Sequence, residues 1–312
     1  MWSKATMSWR RAVPALVLAI GVIAQSAYAS PAASKGTITV GGKLDVEAQL
    51  LTEMYTQLLQ NAGYKVNEKL ALGNSIIVHQ AIISGAIDLY PEFTATGLNT
   101  LGIKSSYDPQ KDYQAVKSGF ESKFHITWLD MAPLNDGYGL CTTKALSQSL
   151  GITTISQLAQ QASQIVLASP SDGIDFIDGL KPVYGIDTNS FKNLQRVDYS
   201  IGFASVASGS AQVCVGYTTD GSIASQNFIF LQDDKNGFPQ FHPAPIVRMA
   251  VLDKYPDIAT VLNPLAPELT TEVSIRLQDQ VGKLKSGGMS VTEAVKQVAK
   301  QFLQDAGLIP AD

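Results

Sequence analysis

Two α/β units, each on a mainly parallel sheet and closing on each other as a clamshell, are the fold the sequence predicts. Three observations predict it. Strand and helix patterns alternate with short connections from residue 37 to residue 90, and again from 138 to 216. A helix that ends in glycine and leads into an apolar strand occurs twice, at Gly85-Ala-Ile-Asp-Leu-Tyr90 and at Gly209-Ser-Ala-Gln-Val-Cys214. About 283 residues remain once a leader is set aside, long for one core and ordinary for two domains.

Each element follows from its pattern. Residues 37–40 read as a strand, with Gly41-Gly42-Lys43 as the loop after it. Asp45 is the expected N-cap of a helix over 47–62. There Leu50, Leu51, Met54, Tyr55, Leu58 and Leu59 repeat at helical spacing, and Gly63 closes it. Residues 64–70 alternate as a second strand, 74–84 form a helix ending at Gly85, and 87–90 form a third strand before a loop at 91–97. The connections are short, so the strands should lie parallel with helices on both faces. The second set has strands at 138–142, 165–168 and 212–216 and helices at 154–161 and before Gly209, with 189–197 leading towards another strand. A turn at 235–239 precedes a return strand at 245–250; the rest is helical, with breaks at Pro264 and Gly287-Gly288. A ligand would sit between the units, against strand C-terminal ends and helix N-termini.

The N-terminus reads as an export signal. Lys4, Arg10 and Arg11 precede an apolar run at 12–24, and Ala27-Tyr28-Ala29 gives a cleavage pattern. That run is shorter than the ~20 apolar residues that span a bilayer. Cleavage is expected near Ala29, and no cysteine stands there for lipid attachment. The expected location is the periplasm, free of the membrane and without direct insertion. Removing the three leader cations leaves 20 Lys and Arg against 27 Asp and Glu, a formal charge of −7. Such a surface is soluble and does not favour nucleic acid. The two cysteines, Cys141 and Cys214, allow either a disulfide in an oxidising compartment or two small buried hydrophobes on neighbouring strands.

Catalytic patterns are missing. His79, His125 and His242 share no metal-ligand spacing. There is no nucleophile elbow, phosphate loop or dinucleotide fingerprint, and Gly41-Gly42-Lys43 lacks the spacing of a phosphate cradle. Asp88 and Glu92 read as capping and loop acceptors rather than an acid/base pair. No enzyme, cofactor or metal is expected.

The stretch Leu72-Gly73-Asn74-Ser75, His79-Gln80-Ala81-Ile82 and Gly85 through Asp88-Leu89-Tyr90-Pro91-Glu92-Phe93-Thr94-Ala95-Thr96 resembles one family. That family is the glycine betaine/choline/carnitine-binding proteins of osmoprotectant ABC importers, which read LGG, HQAL and GEIDLYPEYTGT here. Val40-Gly41-Gly42-Lys43 is similar to its VGSK opening, and Asn135-Asp136-Gly137-Tyr138 to its ND-x-Y crossing. Tyr217-Thr218-Thr219-Asp220-Gly221 is similar to its YSTDG loop, and residues 244–248 to its return strand. The likeness is collinear over nearly all of the mature chain. It implies a two-domain periplasmic-binding-protein fold (Venus flytrap, type II) with a central mixed, mainly parallel sheet in each domain. The expected domains are 30–136 with 243–312, and 137–242. The implied partners are a small quaternary ammonium solute and a transporter permease, with the protein a monomer. A periplasmic sensor for another cationic or zwitterionic solute is the alternative.

The resemblance also implies the site. A trimethylammonium head offers no hydrogen-bond donor, so aromatic faces hold it through cation–π attraction. Phe93 stands at a cage tyrosine's place, and Tyr138 and Tyr217 match two more. Tyr199 or Phe203 would supply the fourth ring, with Tyr199 the choice made. Thr96 matches a threonine at the ligand's acid end, Asp136 offers a backbone carbonyl, and Lys43 matches a lysine that meets a carboxylate. Tyr90 is expected in the core. The family's F-x-x-R-x-D-G segment is replaced by Ser171-Asp172-Gly173-Ile174-Asp175-Phe176, with Gly173 at the place of the arginine that grips a carboxylate. Asp172 and Asp175 would favour a cation without a carboxylate; Arg196 is a substitute clamp.

Overall fold

The structure, a computed structural model, describes residues 1–2, 35–220 and 227–311. The signal-peptide reading, Met1 and Trp2 apart, lies outside these residues.

The first sheet opens with β1 (Thr37–Lys43), followed by α1 (Val46–Asn61), β2 (Lys65–Gly73), α2 (Ser75–Ile83) and β3 (Leu89–Phe93). The Asp45 carboxylate caps α1 by accepting from the Ala48 amide at 2.7 Å, as its position before the apolar repeat predicts. All six apolar residues that define that repeat are buried. Next come α3 (Thr94–Leu101), α4 (Pro109–Phe124) and β4 (Ile126–Trp128). The sheet order is β2-β1-β3-β10-β4, where β10 (Pro243–Arg248) arrives from the far end of the chain. β1 is parallel to β2 and β3, and β10 is antiparallel to β3 and β4.

The second sheet repeats this plan. Its elements are β5 (Tyr138–Thr143), α5 (Lys144–Leu150), α6 (Ile155–Gln161), β6 (Val166–Ser169), α7 (Ile174–Asp178), α8 (Lys181–Tyr184), β7 (Asn193–Arg196), α9 (Tyr199–Ala207), β8 (Val213–Tyr217) and β9 (Phe228–Phe230). The order is β7-β6-β8-β5-β9, with β5 antiparallel to both neighbours. In each sheet four strands run one way and one runs against them. The odd strand is the first one laid down after the chain crosses from the other sheet. Gly85 and Gly209, the repeated glycines of the sequence, both take left-handed φ (75° and 79°) at a helix end, a conformation that strains residues with a Cβ.

Apolar residues pack on both faces of each sheet. One core joins α1, β1 and the C-terminal helices α10 (Met249–Lys254), α11 (Asp257–Leu262), α12 (Thr271–Ser286) and α13 (Val291–Asp305). Another fills the opposite face between α2, α4 and β4 around Tyr90, Phe120 and Trp128. Cys141 and Cys214 are register partners on β5 and β8 with Cα atoms 5.0 Å apart, and they form a disulfide.

Two loop readings are corrected. Residues 41–43 continue β1 through a register shift rather than leaving it. A Cβ on Gly42 would stand 2.3 Å from the Leu70 carbonyl, so the glycine pair lets the backbones approach rather than turn. Residues 91–93 are strand and 94–101 helix, not a loop. Pro91 lies opposite Pro245 on β10, a strand about 150 residues away in sequence. Neither proline needs an amide partner there, so a proline that reads as a strand breaker is accommodated. The return strand also ends at Arg248, with Met249 beginning a helix.

Candidate functional site

Both sheets point their strand ends at the crossings, and the aromatic side chains gather there. Tyr138 begins β5 and Tyr217 ends β8, directly opposite in the antiparallel register. Their rings therefore share one face, with centroids 4.9 Å apart and hydroxyl oxygens 3.1 Å apart. Tyr199 opens α9 and sets its ring 4.9 Å from that of Tyr217. Phe176, on α7, stacks on Tyr138 at 3.8 Å and 26°. The row is thus Phe176, Tyr138, Tyr217, Tyr199, each half-buried. Burial, then hydrogen bonding with the Tyr138 and Tyr217 hydroxyls, pushes the Tyr199 phenol well above its usual range. It stays neutral at physiological pH, and the row offers neutral ring faces.

A second cluster lies at the end of β1 and β3. Lys43 and Glu92 form a buried ion pair at 2.5 Å. Glu92 also accepts from the Tyr90 hydroxyl and the Phe93 amide, both at 2.8 Å. This is the acceptor role expected of it. The Lys43 ammonium stands 4.9 Å from the Phe93 ring centroid, so that ring already faces a cation from within the protein. Phe93 is 5 % exposed and packs in the core of the first sheet.

Two cavities flank the aromatic row. One, of about 390 Å³, is lined by Thr96, Asn99, Phe176, Pro239 and Phe241 among others. The other, of about 420 Å³, is lined by Asp45, Glu47, Asp136, Tyr217, Thr219, Asp220 and Gln278. The Asp136 amide donates to the Phe241 carbonyl, tying one crossing to the other, and its carboxylate accepts from the Thr219 hydroxyl at 2.6 Å. Burial, with the nearby Asp45 charge, pushes the Asp136 carboxyl up to about 7 against the pull of Thr219 and Lys43.

The structure thus brings Tyr138, Tyr199 and Tyr217 together, sets Thr96 and Asp136 in the cavities on either side, and pairs Lys43 with Phe93. Phe203 is core: it is buried and packs edge-on against Phe228 at 5.1 Å. Gly173 is buried, and a Cβ there would lie 2.8 Å from the Ser169 hydroxyl, so an arginine would have to displace that serine. Arg196 and Asp175 are exposed. Phe176 and Phe241 were missed as site rings. Phe176 sits on a five-residue helix too short to show a periodicity, and Phe241 in a crossing segment without one. Among the described residues no group of His, Cys, Asp or Glu is arranged to hold a metal ion, and no helix is long and apolar enough to cross a membrane.

The family model for the substrate-binding domain of ABC-type glycine betaine transport systems matches residues 36–305. The carnitine transport binding protein OpuCC of Listeria monocytogenes is 28 % identical over 276 residues, 87 % of each chain. The glycine betaine-binding protein YehZ of Escherichia coli is 27 % identical over 312 residues, covering 95 % of this chain and 99 % of that one. A crystal structure described as a glycine betaine/carnitine/choline ABC transporter superposes with a TM-score of 0.76 at 24 % identity, over 87 % of this chain and 99 % of the other, and shares the fold. The doubled sheet plan is that of type II periplasmic binding proteins, and a solute-binding domain of a transporter is not an enzyme. The chain belongs to the family of substrate-binding domains of ABC-type glycine betaine transport systems.

Proposed function

We propose that the protein captures a quaternary ammonium compound of the choline or glycine betaine type between two domains and delivers it to the permease of an ABC importer. The domains are residues 30–136 with 243–312, and residues 137–242. The observation that supports this reading is the row of Phe176, Tyr138, Tyr217 and Tyr199 at the crossings, with neighbouring centroids 3.8 to 4.9 Å apart. Ring faces attract a cation that cannot donate a hydrogen bond, and the attraction grows as closure removes water. A trimethylammonium group does not fit between rings in van der Waals contact. Capture therefore uses the outer faces of the row or parts Phe176 from Tyr138.

In this reading Tyr138, Tyr199, Tyr217 and Phe176 bind the ammonium head, with Phe93 completing the cage from the other domain. Thr96, Asp136 and Lys43 address the remainder of the solute. The protein works as a monomer in the periplasm after cleavage near Ala29. Calorimetric titration of the mature protein with glycine betaine, choline, carnitine, proline betaine and ergothioneine tests it. At least one should bind below millimolar concentration, and Tyr217→Ala should weaken that ligand by about 1–2 kcal/mol. Absence of binding by all five sinks the reading; an unchanged affinity in the variant removes Tyr217 from the site.

A further inference from the structure

The segment after β8 is held by two helices of the first sheet. Gln278, on α12, donates from Nε2 to the Thr219 carbonyl at 2.9 Å and to Glu47 Oε2, on α1, at 3.1 Å. The Ser274 hydroxyl, one turn earlier on α12, donates to the same Oε2. The Thr219 hydroxyl donates to the Asp136 carboxylate at 2.6 Å and is hydrogen-bonded with Glu47 as well. Thr219 is buried, and it stands two residues beyond Tyr217, a middle ring of the aromatic row.

Donors and acceptors in this network balance for one placement of its proton. The Thr219 hydroxyl has one hydrogen and Asp136 takes it, so Thr219 offers Glu47 a lone pair. Glu47 Oε2 already accepts from Ser274 and Gln278. Its Oε1 is buried and receives no hydrogen bond among the described residues. An ionised Glu47 would leave that oxygen unserved and set a second charge beside Asp136, with only a lone pair between them. A protonated Glu47 donates through Oε1 to Thr219, and the contact becomes a hydrogen bond.

We propose that Glu47, carrying a proton, and Gln278 are positioning residues for solute capture: with Ser274 they clip the segment 217–219 to α1 and α12 and so hold Tyr217 in the row. The effect on binding rests on the quaternary ammonium reading; the clip itself rests on the hydrogen bonds. In that reading Thr219 belongs to the domain of residues 137–242 and both helices to the other, so the clip also spans the two domains.

The surrounding charges favour the protonated form. Burial, then the Asp136 charge, raises the Glu47 carboxyl well above the usual carboxylate range, and Asp45 adds to this from the start of α1. Thr219 and Lys43 favour a charge on Asp136. Asp220 lines the same cavity. On α12, Glu272 and Arg276 are exposed and Asp279 is paired with Lys283, which leaves the neutral Ser274 and Gln278 facing Glu47. The clip is therefore whole while Glu47 keeps its proton, and it is lost as pH rises through that titration.

Hydrogen exchange of the 213–220 amides in the unliganded mature protein tests the clip. Calorimetry with glycine betaine and choline tests its effect, since neither solute titrates between about pH 6 and about pH 9.5. Glu47→Ala should speed exchange in the segment about tenfold and weaken binding about tenfold. Glu47→Gln keeps a neutral donor and should match the parent at about pH 7; the parent's affinity should then fall relative to this variant towards about pH 9.5. Gln278→Ala, which removes the bond to the Thr219 carbonyl, should loosen the same segment and replaces Glu47→Ala should that protein fail to fold. Glu47→Gln as loose as Glu47→Ala, or as pH-dependent as the parent, overturns the proton. Unchanged exchange in the alanine variants overturns the clip, and faster exchange with unchanged affinity overturns the positioning role. Binding by neither solute sinks the capture reading, and exchange alone then decides the clip.

Discussion

Lys43 shows how one side chain can serve stability while standing beside a binding site. Its ammonium is paired with Glu92 in a nearly dry setting and lies over Phe93. Removing one partner of a buried pair leaves the other charge uncompensated, which typically costs about 3–5 kcal/mol. Lys43→Met should therefore lower stability in urea unfolding by about 3 kcal/mol, and adding Glu92→Gln should restore much of it. A single variant as stable as the parent would mean that Glu92 finds another partner. The sequence pointed to Lys43 through its likeness to the family's opening motif. It could not show Glu92 as the partner, because 49 positions separate two residues that the β1–β3 pairing brings together.

At the scale of elements, β5 and β8 carry the site. Their antiparallel register sets Tyr138 against Tyr217 and Cys141 against Cys214, with the disulfide three residues into the pair from the tyrosines. The bond closes a loop of 73 positions, a length for which cross-linking contributes about 2–4 kcal/mol. The Cys141→Ser/Cys214→Ser protein should melt at lower temperature under oxidising conditions, and reductant should lower the parent's transition towards it. Equal transitions for parent and variant would remove the bond from the stability of the fold. Helices such as α1 and strands such as β2 were legible because their burial follows local periodicity, the apolar repeat of the one and the alternation of the other, whereas α4 and β4 were not foreseen. The segment at 91–97 was not, because a proline in a strand and the start of α3 are settled by the arrival of β10.

For the whole molecule, buried carboxyls set the pH response. Burial lifts Glu53, aided by hydrogen bonding with Glu68, from 4.5 to about 8, and lifts Asp136 from 3.8 to about 7; Glu47 moves the same way. The unfolded chain gives up these protons near the ordinary values, whereas the folded chain keeps them. The unfolded state thus binds fewer protons across the window between, and stability falls as pH rises through it. The melting temperature should decline from about pH 5 to about pH 8 and level off above, and Asp136→Asn should flatten part of that slope. A profile that rises over this range would show these carboxyls ionised in the fold. Trp128 is fully buried beside Phe120 in the first sheet's core, so its fluorescence reports on that core.

The sequence by itself determined the alternation of strands and helices, the repeated glycine turns and the family, because these rest on local periodicity and on motifs read in order. It also named the tyrosines that meet at the crossings. Only the tertiary structure decided which rings join them, that Phe176 stacks on Tyr138, and that Glu47 and Gln278 of the first sheet's helices share a cavity with Asp136 and Tyr217. The reason is physical: two chain crossings bring together residues more than 200 positions apart, and their burial and charge exist only once those crossings are made.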